Sequence, residues 1–120
     1  MTWVAERGGR LIGYAQVGPC KLPHPDASPD HGEIYQLYLC GDAQGLGLGR
    51  QLLAIALGPL ETGRPGPIWL GVWSGNAKAQ RVYDKAGFEK VGNYQFPVGD
   101  NWVDEEFIYR RRPAAIRRGD

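Results

Sequence analysis

Residues 44–50, Gln44-Gly45-Leu46-Gly47-Leu48-Gly49-Arg50, place glycine at every second position just ahead of an apolar pattern of helical period. Such a turn feeds a helix N-terminus, where backbone N–H groups lack intrahelical partners and carry partial positive charge. Glycines let a bulky anion approach that backbone, so the chemistry on offer is phosphate or pyrophosphate binding. A single glycine would serve a plain cap; three argue for a ligand. No Gly-Lys-Ser/Thr follows, which excludes a Walker loop, and Leu52 stands where the dinucleotide fingerprint G-x-G-x-x-G wants its third glycine. Arg50 is placed to pair with a phosphate. Other reactive types are sparse. Cys20 and Cys40 lack metal-ligand spacing, and Cys40 reads as a small core residue. His24, His31, Asp26 and Asp30 share a stretch broken by Pro19, Pro23, Pro25 and Pro29. That stretch reads as a solvated connector, and no metal is expected.

The elements that must position the glycine loop follow from patterning. Glu33 to Cys40 is a run of β-branched, aromatic and aliphatic residues between Gly32 and Gly41, and predicts a buried strand. Residues 47–58 predict a helix with Leu48, Leu52, Ile55, Ala56 and Leu60 on one face, ending near Gly58-Pro59. Ile68 to Trp73 is nearly all apolar, as suits a buried parallel strand. A helix between two such strands predicts a right-handed β-α-β unit. Trp3 to Arg7 and Leu11 to Val17 flank Gly8-Gly9, a hairpin signal. Residues 77–86 predict a helix with Ala79, Val82, Tyr83 and Ala86 on one face. Phe88 to Phe96 and Glu105 to Arg110 are the last strands, with Pro97 to Asp104 as the loop between them.

A chain of 120 residues makes one domain with a modest core. We place it at residues 1–112, with a basic tail at 113–120. A hydrophobic share of 42% fits a globular fold, and a net charge of +1 makes the molecule no general magnet for nucleic acid or membrane. Arg110, Arg111, Arg112, Arg117 and Arg118 sit near the end and read as a solvated terminus rather than a nucleic-acid site. No run approaches the ~20 apolar residues of a membrane span. The N-terminus lacks the plan of a signal peptide, and the two cysteines fit a cytoplasmic protein with reduced thiols.

Gln44-x-x-Gly47-x-Gly49 resembles motif A of the GNAT superfamily of N-acetyltransferases. A second block agrees: residues 68–92, IWLGVWSGNAKAQRVYDKAGFEKVG, resemble motif B, with its N-x-x-A-x-x-x-Y-x-x-x-G-F spacing running from Asn76 through Tyr83 to Phe88. The resemblance spans about residues 3–110. It implies an α/β fold of mixed α+β character, acyl-CoA N-acyltransferase-like. A mixed, mostly antiparallel central sheet would carry one β-α-β parallel pair and flanking helices.

The resemblance also implies a function: moving acetyl from acetyl-CoA to a primary amine, on a small molecule or peptide, by direct attack. Gln44, Gly45, Leu46, Gly47, Leu48, Gly49 and Arg50 would hold the pyrophosphate. Leu37, Tyr38 and Leu39 would bind pantetheine through their backbone, their side chains reading as core. Asn76 would contact the cofactor while serving as a helix N-cap. Tyr83 matches the general acid that protonates the leaving sulfur; taken alone it reads as a core aromatic. Glu33, eleven residues before Gln44, matches the base that some members carry, acting directly or through water; the alternative is a solvated strand-end charge. Asp100, Trp102 and Asp104 fall where members shape the acceptor pocket. A first strand and two helices that usually precede the hairpin at Trp3 are not in this sequence, so the acceptor half should be open and a sheet edge bare, to be covered by a second copy of the chain, a swapped strand or a preceding segment; a homo-oligomer, a dimer or larger, is expected. The alternative is a non-catalytic acyl-CoA-binding module.

Overall fold

The structure is a computed structural model that describes residues 2–40, 48–63 and 66–113. Six strands and two helices run in the order β1 (Thr2–Arg7), β2 (Arg10–Pro19), β3 (Gly32–Leu39), α1 (Leu48–Gly63), β4 (Ile68–Trp73), α2 (Ala77–Lys85), β5 (Glu89–Pro97) and β6 (Val103–Arg111). The spatial order is β1-β2-β3-β4-β6-β5, with every neighbour antiparallel except β3 and β4. This is the expected mixed sheet with its single parallel pair, made by the crossover through α1. Gly8 and Gly9 both have positive φ, 59° and 79°, which lets two residues turn β1 into β2.

Both helices cover one face of the sheet. Leu52, Leu53, Ala56, Leu57 and Leu60 of α1 pack on Ala15, Val17, Ile34, Ile68, Leu70 and Val72, and α2 adds Tyr83 beside Phe88 and Tyr109. The expected apolar face of α1 is therefore rotated: Ile55 is 52% exposed, while Leu53 and Leu57, left out of that face, are buried. A stripe at i, i+1, i+4 and i+5 faces a sheet as well as one at i, i+3 and i+4, and only the sheet's position chooses between them. The helix also outruns Gly58-Pro59 and ends at Gly63. Leu60 carries it through, because Gly32 leaves space that a Cβ would fill, 2.6 Å from the Leu60 Cδ2.

The other face is covered in part by residues 20–31, expected to be a solvated connector. They lie on the sheet instead. Cys20 and Leu22 join Trp69 and Ile108 in a second cluster. The Trp69 indole, fully buried, donates its N–H to His31 Nδ1 at 3.1 Å, and the His24 ring sits 5.0 Å from it. Prolines mark this stretch as irregular, but irregular backbone can still pack tightly. The arginines ending β6 are likewise structural: Arg110 pairs with Glu89 at 3.3 Å and Asp26 at 3.6 Å, and Arg111 with Glu61 at 2.8 Å. Residues 114–120 lie outside the described residues.

Candidate active site

The site begins where β3 and β4 part. Their parallel register holds only for Gly32↔Ile68, Glu33↔Trp69 and Ile34↔Leu70. The cause is visible on the other side of β3. Gln16 pairs with Gln36 and Val17 with Ile34, so Tyr35 is an extra residue, a β-bulge. A bulge bends its strand and adds twist, and here it sits one residue past the last β3–β4 pair. Beyond it the β4-facing backbone of β3 leaves the ladder, and a cleft of about 270 Å³ opens, lined by Leu37, Tyr38, Gly71, Val72, Asn76 and Tyr83 among others.

Each side of the cleft has its own support. Leu37 and Leu39 pack against the helix-side core as expected, but Tyr38 is 52% exposed and tilts against Tyr14, with ring centroids 5.6 Å apart. Tyr83 enters from α2, pinned between Phe88 and Tyr109 at 5.9 and 6.3 Å. It is nearly buried, and that burial pushes its phenol up to about 12, so the hydroxyl keeps its proton at neutral pH. Asn76 caps α2, its side chain accepting from the Ala79 N–H at 3.1 Å. Gln80 donates to the carbonyls of Trp73 and Ser74, at 3.3 and 3.1 Å, and so fixes the end of β4 to α2.

Glu33 is not a solvated strand-end charge. It is buried, 8% exposed, and its Oε1 accepts the Lys21 N–H at 2.7 Å. Burial raises its pKa, against the lowering effects of that N–H, of the Lys21 charge and of the Cys20 thiol. A carboxylate raised in this way is a better base than a solvated one. The strap of residues 20–31, expected to be a solvated connector, thus supplies the donor that orients Glu33.

Gln44, Gly45, Leu46 and Gly47 lie outside the described residues. Leu48 and Gly49 open α1, whose first turn has no acidic residue, and Arg50 is exposed beside them. With no carboxylate in that first turn to offset it, the positive end of α1 suits an anionic group. Asp100 and Trp102 lie at the β5–β6 turn, with Trp102 68% exposed and its indole N–H donating to Asp104 Oδ1 at 3.2 Å. Among the described residues there is no group of three or more His, Cys, Asp or Glu arranged to hold a metal ion, and no helix long and apolar enough to cross a membrane. Sequence reasoning missed Tyr94 and Glu106, which face the same region from β5 and β6. Their signal was the two-residue alternation of the hairpin, legible only once its register was known.

Comparison with known proteins bears on this geometry. The acetyltransferase (GNAT) family pattern matches residues 1–88. A mycothiol acetyltransferase of Thermomonospora curvata is 39% identical over 98 residues, covering 79% of this chain and 31% of that protein. An uncharacterised N-acetyltransferase of Lactobacillus delbrueckii is 29% identical over 93 residues, covering 78% of this chain and 54% of its own length. The chain thus spans about half or less of the curated relatives it matches. Among solved structures, the ribosomal-protein-alanine N-acetyltransferase of Brucella melitensis superposes with a TM-score of 0.75 at 26% identity, over 92% of this chain and 67% of that one. Naa20 of Chaetomium thermophilum, solved with a bisubstrate analogue, gives 0.75 at 21% identity, over 92% and 64%, and attests the fold alone. With the bulged strand, the parted parallel pair and the capped helix carrying Tyr83 all in place, the chain belongs to the GNAT family of acetyltransferases.

Proposed function

We propose that the chain transfers an acetyl group from acetyl-CoA to a primary amine by direct attack. The observation that carries this reading is the cleft between β3 and β4 with the Tyr83 phenol in its wall. Acetyl-CoA supplies an already activated thioester, so no covalent enzyme intermediate is needed. The backbone of Leu37, Tyr38 and Leu39, past the last β3–β4 pair, lines the path of the pantetheine arm in the manner of a neighbouring strand. Residues Gln44 to Gly49, with Arg50, take the pyrophosphate, and Asn76 borders the arm.

Glu33, directly or through water, accepts a proton from the acceptor ammonium and frees the nitrogen lone pair. As the N–C bond forms and the C–S bond breaks, Tyr83 gives its proton to the sulfur. The nitrogen loses its second proton, and Tyr83 is reprotonated from solvent. The balance is one amide, one thiol and one released proton. We place this activity in the cytoplasm. We also propose a homodimer, supported by the groove that Trp3, Val4, Ile12 and Ile55 line beside β1, the edge strand among the described residues.

Calorimetric titration with acetyl-CoA tests the donor site: micromolar binding in the wild type should be lost in Gly47→Glu. Tyr83→Phe should then cost about 100-fold in kcat, the usual scale of general acid catalysis, with donor affinity unchanged. Donor binding with no measurable transfer to any amine would make the chain an acyl-CoA-binding module instead.

A further inference from the structure

We propose that the amine acceptor is seated on the sheet face away from the helices, by a row of three side chains: Trp73, Glu106 and Tyr94. None belongs to the glycine loop or to the residues given roles above. The proposal rests on the acetyl-transfer reading for the reaction, but the row itself is a matter of strand register.

β4, β6 and β5 are consecutive in the sheet. Trp73 is the direct partner of Glu106, and Glu106 is the direct partner of Tyr94. Direct partners on neighbouring strands share a face and lie within side-chain reach. Two rows along, on the same face, Trp69 and Arg110 pair across the same strands, which fixes the row on the side of the strap.

The row leans toward the cleft. A Cβ on Gly71 would lie 3.4 Å from the Tyr94 hydroxyl oxygen. The hydroxyl therefore rests above β4, one residue past Leu70, where β4 loses β3. Gly71 also lines the cleft. The Tyr94 phenol is raised above its ordinary value by burial and then by the charges of Glu106 and Glu33, so it lies within the field of both carboxylates. Aromatic surface surrounds it: Trp73 is 52% exposed, and Phe96, 51% exposed, meets the Tyr94 ring edge-on at 6.4 Å.

Each part has a job in recognising one chemical class. The Glu106 carboxylate pairs with an ammonium, and the Trp73 and Tyr94 rings favour a cation near their faces and an apolar group beyond it. The Tyr94 hydroxyl, over Gly71 at the cleft and within the field of both Glu106 and Glu33, lies where the nitrogen would pass from its charge partner toward its base. Anionic acceptors meet two carboxylates and are rejected. The seat therefore fits a primary amine whose nitrogen is close to an aromatic or branched apolar group.

The test titrates the full chain with phenethylamine and, separately, with its neutral counterpart 2-phenylethanol, following both by calorimetry and backbone amide shifts. The amine should bind at least about tenfold more tightly than the alcohol, the scale of one hydrogen bond to a charged group. Glu106→Gln should erase that preference, and Tyr94→Phe should reduce it about threefold, toward the low end of what one hydrogen bond contributes. Circular dichroism should show both variants folded. An amine that binds no better than the alcohol, or a preference that survives Glu106→Gln, overturns the seat. Acetyl-CoA is titrated into the same samples: loss of donor binding alone would sink the acetyl-transfer reading and leave the amine seat standing.

Discussion

On one side of the sheet, two helices press Leu52, Leu53, Leu57, Leu60 and Tyr83 onto a floor of β-branched and aliphatic residues. On the other side, twelve residues of proline-broken chain (20–31) hold Trp69 in place, and beyond them Tyr38, Trp73 and Phe96 remain half exposed. The first side is closed and apolar. The second is a patchwork of packed indole, histidine rings, a buried carboxylate and open aromatic surface. The strap is a compromise: it buries Trp69 and orients Glu33 while leaving the rest of its face accessible.

Three measurements sharpen or break that contrast. The largest effect belongs to the strap side. Trp69→Ala should cost about 3–5 kcal/mol in chemical denaturation, the range for a large buried aromatic. A cost below that of Leu53→Ala, about 2–5 kcal/mol, would mean that the strap is a loose cover and the helix side carries the fold alone.

Next comes Glu33, whose pKa burial raises. Below the ordinary carboxylate range both folded and unfolded chains hold this proton, and the group has no effect on stability. As pH rises from there through the raised folded value, the unfolded chain releases the proton first, so the wild type loses stability across that window. Glu33→Gln should flatten the slope and be the more stable protein at neutral pH, with no advantage in acid. Parallel stability curves for the two proteins would show that the carboxylate is not under this strain. The smallest effect falls on the helix side itself. Ile55→Ala, on the exposed flank of α1, should change stability by no more than about 0.5 kcal/mol; a larger loss at high protein concentration alone would reveal a partner on the β1 groove.

Much of the helix side was legible in the sequence, because period 2 and period 3.6 patterns report burial against a neighbour of known kind. All six strands and both helices were readable, and helical period and capping chemistry put Tyr83 on the inner face of α2 and Asn76 at its cap, while a part in the site was implied only by the resemblance to motif B. What failed there was local: the face of α1 turned by one residue, and its end moved past Pro59, since Leu60 answers to Gly32 on a distant strand. The open side was harder. Prolines in residues 20–31 announce an irregular path, not what it lies on, so the contacts of His31 with Trp69 and of Lys21 with Glu33 could not be foreseen. Tyr38 was expected in the core and is exposed, because the bend that frees it follows from pairing with β2. Glu106 and Tyr94 form a pair only through hairpin register, which no local signal states.

The extra residue in β3 has a consequence for how the cleft is written into the gene. Tyr35 falls between Ile34 and Gln36, whose partners on β2 are adjacent. Removing it would leave every other β2 pairing in register while taking away the bend. The slot is thus specified by an insertion rather than by a side chain. Point substitutions can roughen or repaint its walls, but a single in-frame codon deletion is the change that would let β3 run straight beside β4 and zip it shut.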